Sequence, residues 1–496
     1  MTTDTLNLYD TEADAPATPA PNDARFAARN RIVINTLLVS TFVVMLNETA
    51  MSVALPPLME AFNAPATDVQ WLTTAFLLVM AVVIPVTGFL LQVLNTRPIF
   101  LIAMTLFTIG TLIAALAPNL GVLIAARVVQ ATGTAIMMPL LMTTVMTLVA
   151  PHERGKTMGS ISIVMSVAPA IGPAFAGFVI AHLDWRWIFI LVLPIALGAI
   201  ALGYRMMVNV TTPRPAPLDV GSVILSALGF GGIVYGLSGL GHEGAGTIPA
   251  WIPLAIGVVT MVAFVLRQLQ LQRADRALLD LRTLRSKNYT ISMAMIAVLM
   301  MAMFGVIILL PIYLVQVTGL DTLGTGLLLM PGALLMGVLG PFVGRLYDRV
   351  GPSPLIIPAM VVVSAVLWSL TLLTATTPWQ AILIGHIVIS LGFAFLFGPL
   401  FTTSLGSVPS NLYSHGSALL GSVQQVAGAA GVALFVSLMT VQSKALTAGG
   451  ASSAEALTGG LRVAFMVGAV ISLVALAASF FVRRAEGGPE GGHIGH

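Results

Sequence analysis

Apolar runs of about twenty residues recur fourteen times between residues 32 and 482, and no other feature constrains the fold as tightly. A helix rising 1.5 Å per residue needs about 20 apolar residues to cross a hydrocarbon core roughly 30 Å thick, while a barrel strand needs about 10 in strict alternation. The runs have the helical length and lack the alternation, so the chain reads as an all-α polytopic membrane protein and a barrel is excluded. Composition agrees, with 57% hydrophobic and 8% charged residues. The expected spans are 32–56, 69–93, 99–117, 120–146, 157–181, 186–208, 218–240, 250–270, 289–316, 324–346, 354–374, 379–405, 416–441 and 459–482.

An even count puts both termini on one side, and basic residues say which. One set of loops and ends holds Arg25, Arg29, Arg31, Arg97, Arg154, Lys156, Arg205, Arg214, Arg267, Arg273, Arg276, Arg282, Arg285, Lys287, Arg345, Arg349, Arg483 and Arg484. The other set holds only Arg186, Lys444 and Arg462. By the positive-inside bias both termini are expected to be cytoplasmic, in a multi-pass protein of the inner (cytoplasmic) membrane. The same bias accounts for the net charge of +3 without a nucleic-acid partner. There is no cysteine, so disulfides and thiolate metal sites are excluded, and the seven histidines are scattered rather than clustered as metal ligands. The absence of a Gly-x-x-x-x-Gly-Lys-Ser/Thr loop leaves direct ATP drive without support. No cofactor is expected, and the chain reads as a monomer whose partners are the lipid bilayer, protons and small amphiphilic substrates.

The expected division is a disordered tail over 1–30, a six-helix bundle over 31–210, two inserted helices over 211–270, a cytoplasmic linker over 271–288, a second six-helix bundle over 289–484 and a tail over 485–496. The linker interleaves leucine and arginine, which fits a helix lying on the inner surface as well as it fits a solvated connector. The parts on either side of it echo each other. Gly88 and Gly344 are 256 residues apart; Arg127 and His386, Gly133 and Gly392, and Gly172 and Gly431 are all separated by 259. A nearly constant offset marks an internal duplication, which implies two pseudo-symmetric bundles with a site between them. Spans 7 and 8 have no counterpart and look inserted.

Several motifs then resemble those of the major facilitator superfamily, in its fourteen-span drug:proton antiporter branch, over nearly all of residues 31 to 485. Leu123-Ile-Ala-Ala-Arg-Val-Val-Gln-Ala-Thr-Gly-Thr-Ala135 is similar to that branch's span 4 motif. Ser166-Val-Ala-Pro-Ala-Ile-Gly-Pro-Ala-Phe-Ala-Gly177 is similar to its span 5 antiporter motif, and Gly416-Ser-Ala-Leu-Leu-Gly-Ser-Val-Gln-Gln-Val-Ala-Gly428 to its span 13 signature. The resemblance implies proton-coupled efflux of amphiphilic drugs or antibiotics by alternating access, and no enzyme activity. Export of an endogenous metabolite, lipid or peptide is the alternative, with a membrane enzyme or channel a more distant one. Three positions depart from the pattern: Asn47 stands where the first-span acid is usual, with Glu48 following; Gln92 replaces the usual Asp after span 2; Gly421 replaces an Asn. The branch's lincosamide and multidrug exporters share the Leu-Asn-Glu-Thr reading.

Glu48 is the one carboxylate expected inside the membrane, and such a group is a functional-site candidate with a partner to be named. Arg127 is that partner by depth. Glu48 precedes Pro56 by eight residues and Arg127 follows the start of span 4 by about as many, so both lie roughly 12 Å below the outer surface. The two are assigned to proton coupling; a purely structural ion pair, or an arginine reaching outward, is the competing reading. Asn47, Gln130, His386, Gln424 and Gln425 are candidates for the substrate cavity, with hydrogen bonding between helices, or to a backbone carbonyl for His386, equally open. Pro169, Gly172, Pro173 and Gly177 are read as a hinge or leak seal, with plain packing as the alternative. Gly88, Arg97, Gly344, Arg345, Asp348 and Arg349 are assigned to an inner gate.

Overall fold

The computed structural model describes residues 21–210, 213, 217–240 and 249–484, and every regular element among them is helical. Among the described residues, fourteen helices have the length and apolarity to cross a membrane. They are α1 Pro21–Phe62, α2 Trp71–Val93, α3 Thr96–Ala115, α4 Leu120–Leu148, α5 Arg154–His182, α6 Trp187–Met206, α7 Val220–Leu240, α8 Trp251–Leu271, α9 Lys287–Gln316, α10 Thr322–Val350, α11 Ser353–Leu370, α12 Trp379–Gly406, α13 Tyr413–Ala448 and α14 Ser453–Ser479. Short polar residues start several of them by satisfying otherwise orphaned amides. Asn119 accepts from Val122 N–H at 2.9 Å, Asp321 from Gly324 N–H at 3.0 Å, and Ser452 with Glu455 forms a reciprocal capping box.

Two expectations change at the edges. Residues 21–30, expected in the tail, are the first turns of α1: Ala and Arg favour helix, and Pro21 at its start has no amide that the helix needs. Residues 1–20 and 485–496 lie outside the described residues. The linker is neither a surface helix nor a solvated connector. Two 3-10 turns, Gln272–Ala274 and Leu281–Arg285, flank a stretch whose Leu278 and Leu279 are 1% exposed. Those two leucines are drawn into the core because burying apolar side chains outweighs a longer exposed helix.

The helices form two six-helix bundles with one contact plan. In the first, α1 packs on α4, α5 and α6, α2 on α4, and α3 on α4 and α6. Adding eight to every label gives the second: α9 on α12, α13 and α14, α10 on α12, and α11 on α12 and α14. Between bundles, α5 meets α10 and α12, and α13 meets α2 and α4, which is the same relation turned about a two-fold axis. The inserted pair α7–α8 stands outside this symmetry, with α7 resting on both α2 and α13.

Candidate functional site

Close packing creates the polar cluster of the first bundle. A Cβ at Gly133 would lie 2.3 Å from the carbonyl of Ala103, so only glycine lets α3 and α4 approach this closely. That approach buries Arg127 and Gln130 on α4, 1% and 0% exposed, against Asn47 of α1, 1% exposed. Arg127 Nη1 donates to Gln130 Oε1 at 3.0 Å and to Asn47 Oδ1 at 3.4 Å, and Nε reaches the Leu72 carbonyl at 3.5 Å. Its guanidinium stacks 4.0 Å from the Phe76 ring centroid. Gln130 Nε2 donates to Asn47 Oδ1 at 3.1 Å and to Thr111 Oγ1 at 2.7 Å. Asn47 Oδ1 therefore accepts from two donors, while its buried Nδ2 has no partner.

Glu48 does not complete a contact pair with Arg127. The ion pairs among the described residues, Asp184–Arg186, Asp219–Arg267, Asp275–Arg282 and Asp280–Arg282, all lie elsewhere. One residue turns a helix by about 100°, so with Asn47 directed at α4 the Glu48 side chain falls on the next face. That face is half-buried at Met45, Glu48, Leu55 and Met59 and buried one turn deeper at Thr41, and it differs from the exposed face of Asn35 and Val39. Arg127 still acts on Glu48 electrostatically. Depth was legible in the sequence; the direct partner was not.

The other cavity candidates separate. Asn47 and Gln130 are sealed inside the first bundle and line no open space. His386 Nε2 pairs with the Leu329 carbonyl at 3.0 Å, leaving Nδ1 buried and without a partner. Gln424 donates to Leu420 O of its own helix at 3.2 Å, and Gln425 is half-buried. In α5, a Cβ at Gly172 would meet Thr49 Oγ1 of α1 at 2.1 Å, so Gly172 seats α5 on α1. Pro169 and Pro173 sit inside an unbroken helix, and Gly177, expected with them in a hinge or leak seal, faces nothing within 4 Å.

At the basic end the two bundles touch. Asp348 Oδ1 accepts from Gly155 N–H at 2.8 Å and Oδ2 from Lys156 N–H at 2.9 Å, an anion set on the start of α5 where free amides and the helix dipole favour it. A Cβ on Gly344 would lie 2.0 Å from the Gly155 carbonyl, and one on Gly340 2.4 Å from that of Gly159. Across the two-fold, His415 Nε2 pairs with Gln92 Oε1 at 3.1 Å, Thr143 Oγ1 lies 2.6 Å from Ser417 Oγ, and Gly88 faces Ala418. Three expected gate residues are elsewhere. Arg97 donates to Tyr204 O at 2.6 Å within the first bundle, Arg345 to Pro341 O of its own helix at 3.2 Å, and Arg349 is exposed. Long arginine side chains leave a glycine-tight contact for water or nearby carbonyls. The residues missed, Gly155, Gly159 and Gly340, had a signal: Gly155-x-x-x-Gly159 and Gly340-x-x-x-Gly344 are both small-residue repeats of the kind that let helices meet.

Gly344→Ala tests that contact. The added methyl points at backbone, which cannot swing aside, so the basic end should part and the population closed there should fall about tenfold or more. Spin-label distances between positions 152 and 350 would report it; an unchanged distance distribution would show that the helices tolerate the methyl.

Two bundles related by a two-fold, joined at one end and carrying a buried polar cluster between helices, have the architecture of a membrane transporter. The chain belongs to the Major Facilitator Superfamily, whose family description matches residues 37–432. It is 38% identical over 466 residues to the lincomycin resistance protein LmrB of Bacillus subtilis (strain 168), covering 92% of this chain and 96% of that protein. It is 27% identical over 449 residues to a multidrug resistance protein B homolog of Mycobacterium tuberculosis, covering 87% of this chain and 82% of the relative. Among solved structures, the proton:xylose symporter XylE superposes with a TM-score of 0.66 at 15% identity, over 93% of this chain and 97% of that one, and shares the fold.

Proposed function

We propose that the protein exports amphiphilic, drug-like compounds across the cytoplasmic membrane in exchange for protons, with both termini cytoplasmic and the two bundles rocking about the site between them. The observation that carries this reading is the pair of two-fold-related bundles joined at the basic end, with the buried Asn47–Arg127–Gln130 cluster next to Glu48. Gly155, Gly344 and Asp348 meet at that end. A carboxylate whose access to water and distance from Arg127 change between states can load and release a proton. One charge moving through 100 mV supplies about 2.3 kcal/mol, enough to drive uphill export of roughly fiftyfold. The names of the resistance relatives support drug export over an endogenous cargo.

The test is flux in liposomes with an imposed inward proton gradient, after thermal-shift screening of a compound panel that includes lincosamides. Accumulation of a hit against its gradient, abolished by a protonophore, is the expected result. Gradient-independent flux of the same compound would remove proton coupling.

A further inference from the structure

The inserted helices end in a hydrogen-bond chain that leads to the closed end. We propose that α7 and α8 hold the linker as a third member of that gate, with Gln268 as the positioning residue and Leu279 as the wedge between α2 and α13. This rests on the alternating-access reading above.

The chain starts at the foot of the inserted pair. Asp219, just before α7, takes both Arg267 Nε at 2.7 Å and Nη2 at 2.8 Å, fixing α7 to α8. The Ser222 hydroxyl donates to Asp219 Oδ2 at 2.5 Å and accepts from Gln268 Nε2 at 2.7 Å. Gln268 is fully buried, and its Oε1 accepts from the backbone N–H groups of Leu278 at 2.7 Å and Leu279 at 3.3 Å. The amide is thus oriented at one end by Ser222 and holds the linker backbone at the other.

The held segment lies in the seam between bundles. A Cβ on Gly88 of α2 would have Leu279 Cδ2 at 3.4 Å beside Ala418 Cβ and the Ser414 carbonyl of α13. Leu279 therefore sits where α2 and α13 meet, next to the Gln92–His415 pair. Asp280, 4% exposed, follows directly and is held by Arg282. If α2 and α13 separate, Leu279 must leave the seam or lose its contact with one helix. With α7 resting on both helices, the inserted pair is placed to hold the segment in the closed state.

Because the chain has no cysteine, a single Ser414→Cys substitution gives a unique thiol at this seam, 8% exposed as serine. Its rate of labelling by a membrane-impermeant maleimide is measured in inside-out vesicles without any transport substrate. Gln268→Leu removes the acceptor for two buried amides, and Leu279→Ala shortens the wedge. Each should raise the labelling rate about tenfold, with melting temperature largely kept, while Leu279→Met should retain the parental rate. Labelling unchanged by both Gln268→Leu and Leu279→Ala in folded protein would make the linker a passive connector. Equal acceleration by Leu279→Met and Leu279→Ala would also overturn the proposal, since it would show loosening without a wedge. Neither outcome depends on proton-driven flux, so failure here is separable from failure of the exporter reading.

Discussion

Glu48→Gln protein is expected to fold, insert and bind its ligand, yet to lose uphill export driven by a proton gradient. The amide mimics a permanently protonated acid and is less costly than a carboxylate at that depth. Its half-buried position requires no repacking. Exchange of substrate for substrate should survive, because exchange needs no net proton release. Glu48→Asp, one methylene shorter, should keep part of the coupling with an altered pH profile. Proton-driven accumulation at the parental rate by the glutamine variant would take Glu48 out of the proton path, leaving His386 and Asp348 as the groups to test.

Arg127→Ala should be the most damaging single change in the first bundle. It strips donors from Gln130 Oε1, Asn47 Oδ1 and the Leu72 carbonyl, removes the cation from the Phe76 face, and leaves Glu48 without its nearby positive charge. Leaving buried acceptors unsatisfied costs about 1–3 kcal/mol. A marked fall in melting temperature, measured in detergent or lipid, should accompany loss of transport. Lysine keeps the charge but not the planar fork that reaches Asn47, Gln130 and Leu72 at once, so Arg127→Lys should recover stability better than flux. If both variants match the parent in melting and transport, the cluster has no role in either.

Much of this site can be placed from sequence by depth and very little by direction. Counting residues puts positions 47 and 48 at one level with Arg127, as the Asn47–Arg127 bond requires. Which neighbour each faces depends on helix rotation, and a single position separates the face of Asn47, bonded to Arg127 and Gln130, from that of Glu48. The arginines of the basic end were assigned to a gate by motif position, yet contact is made by Gly155, Gly340, Gly344 and Asp348, because only small residues and a short carboxylate fit between backbones that close. The linker misled for a related reason. Alternating leucine and arginine describes a surface helix, but Gln268 captures the amides of Leu278 and Leu279 and turns the segment inward.

What the amino-acid order determines by itself is the number of helices, their approximate ends, the charge asymmetry of their loops and the repeat of one bundle by the other. Those properties depend on runs of about twenty residues, within which apolarity and backbone hydrogen bonding are local. Only the tertiary structure decides that Arg127 bonds to Asn47 rather than Glu48, that Asp348 closes on the amide of Gly155 from 193 residues away, and that the linker enters the seam. These are contacts between helices, set by rotation and close approach across the bundles, and no local window of sequence contains them.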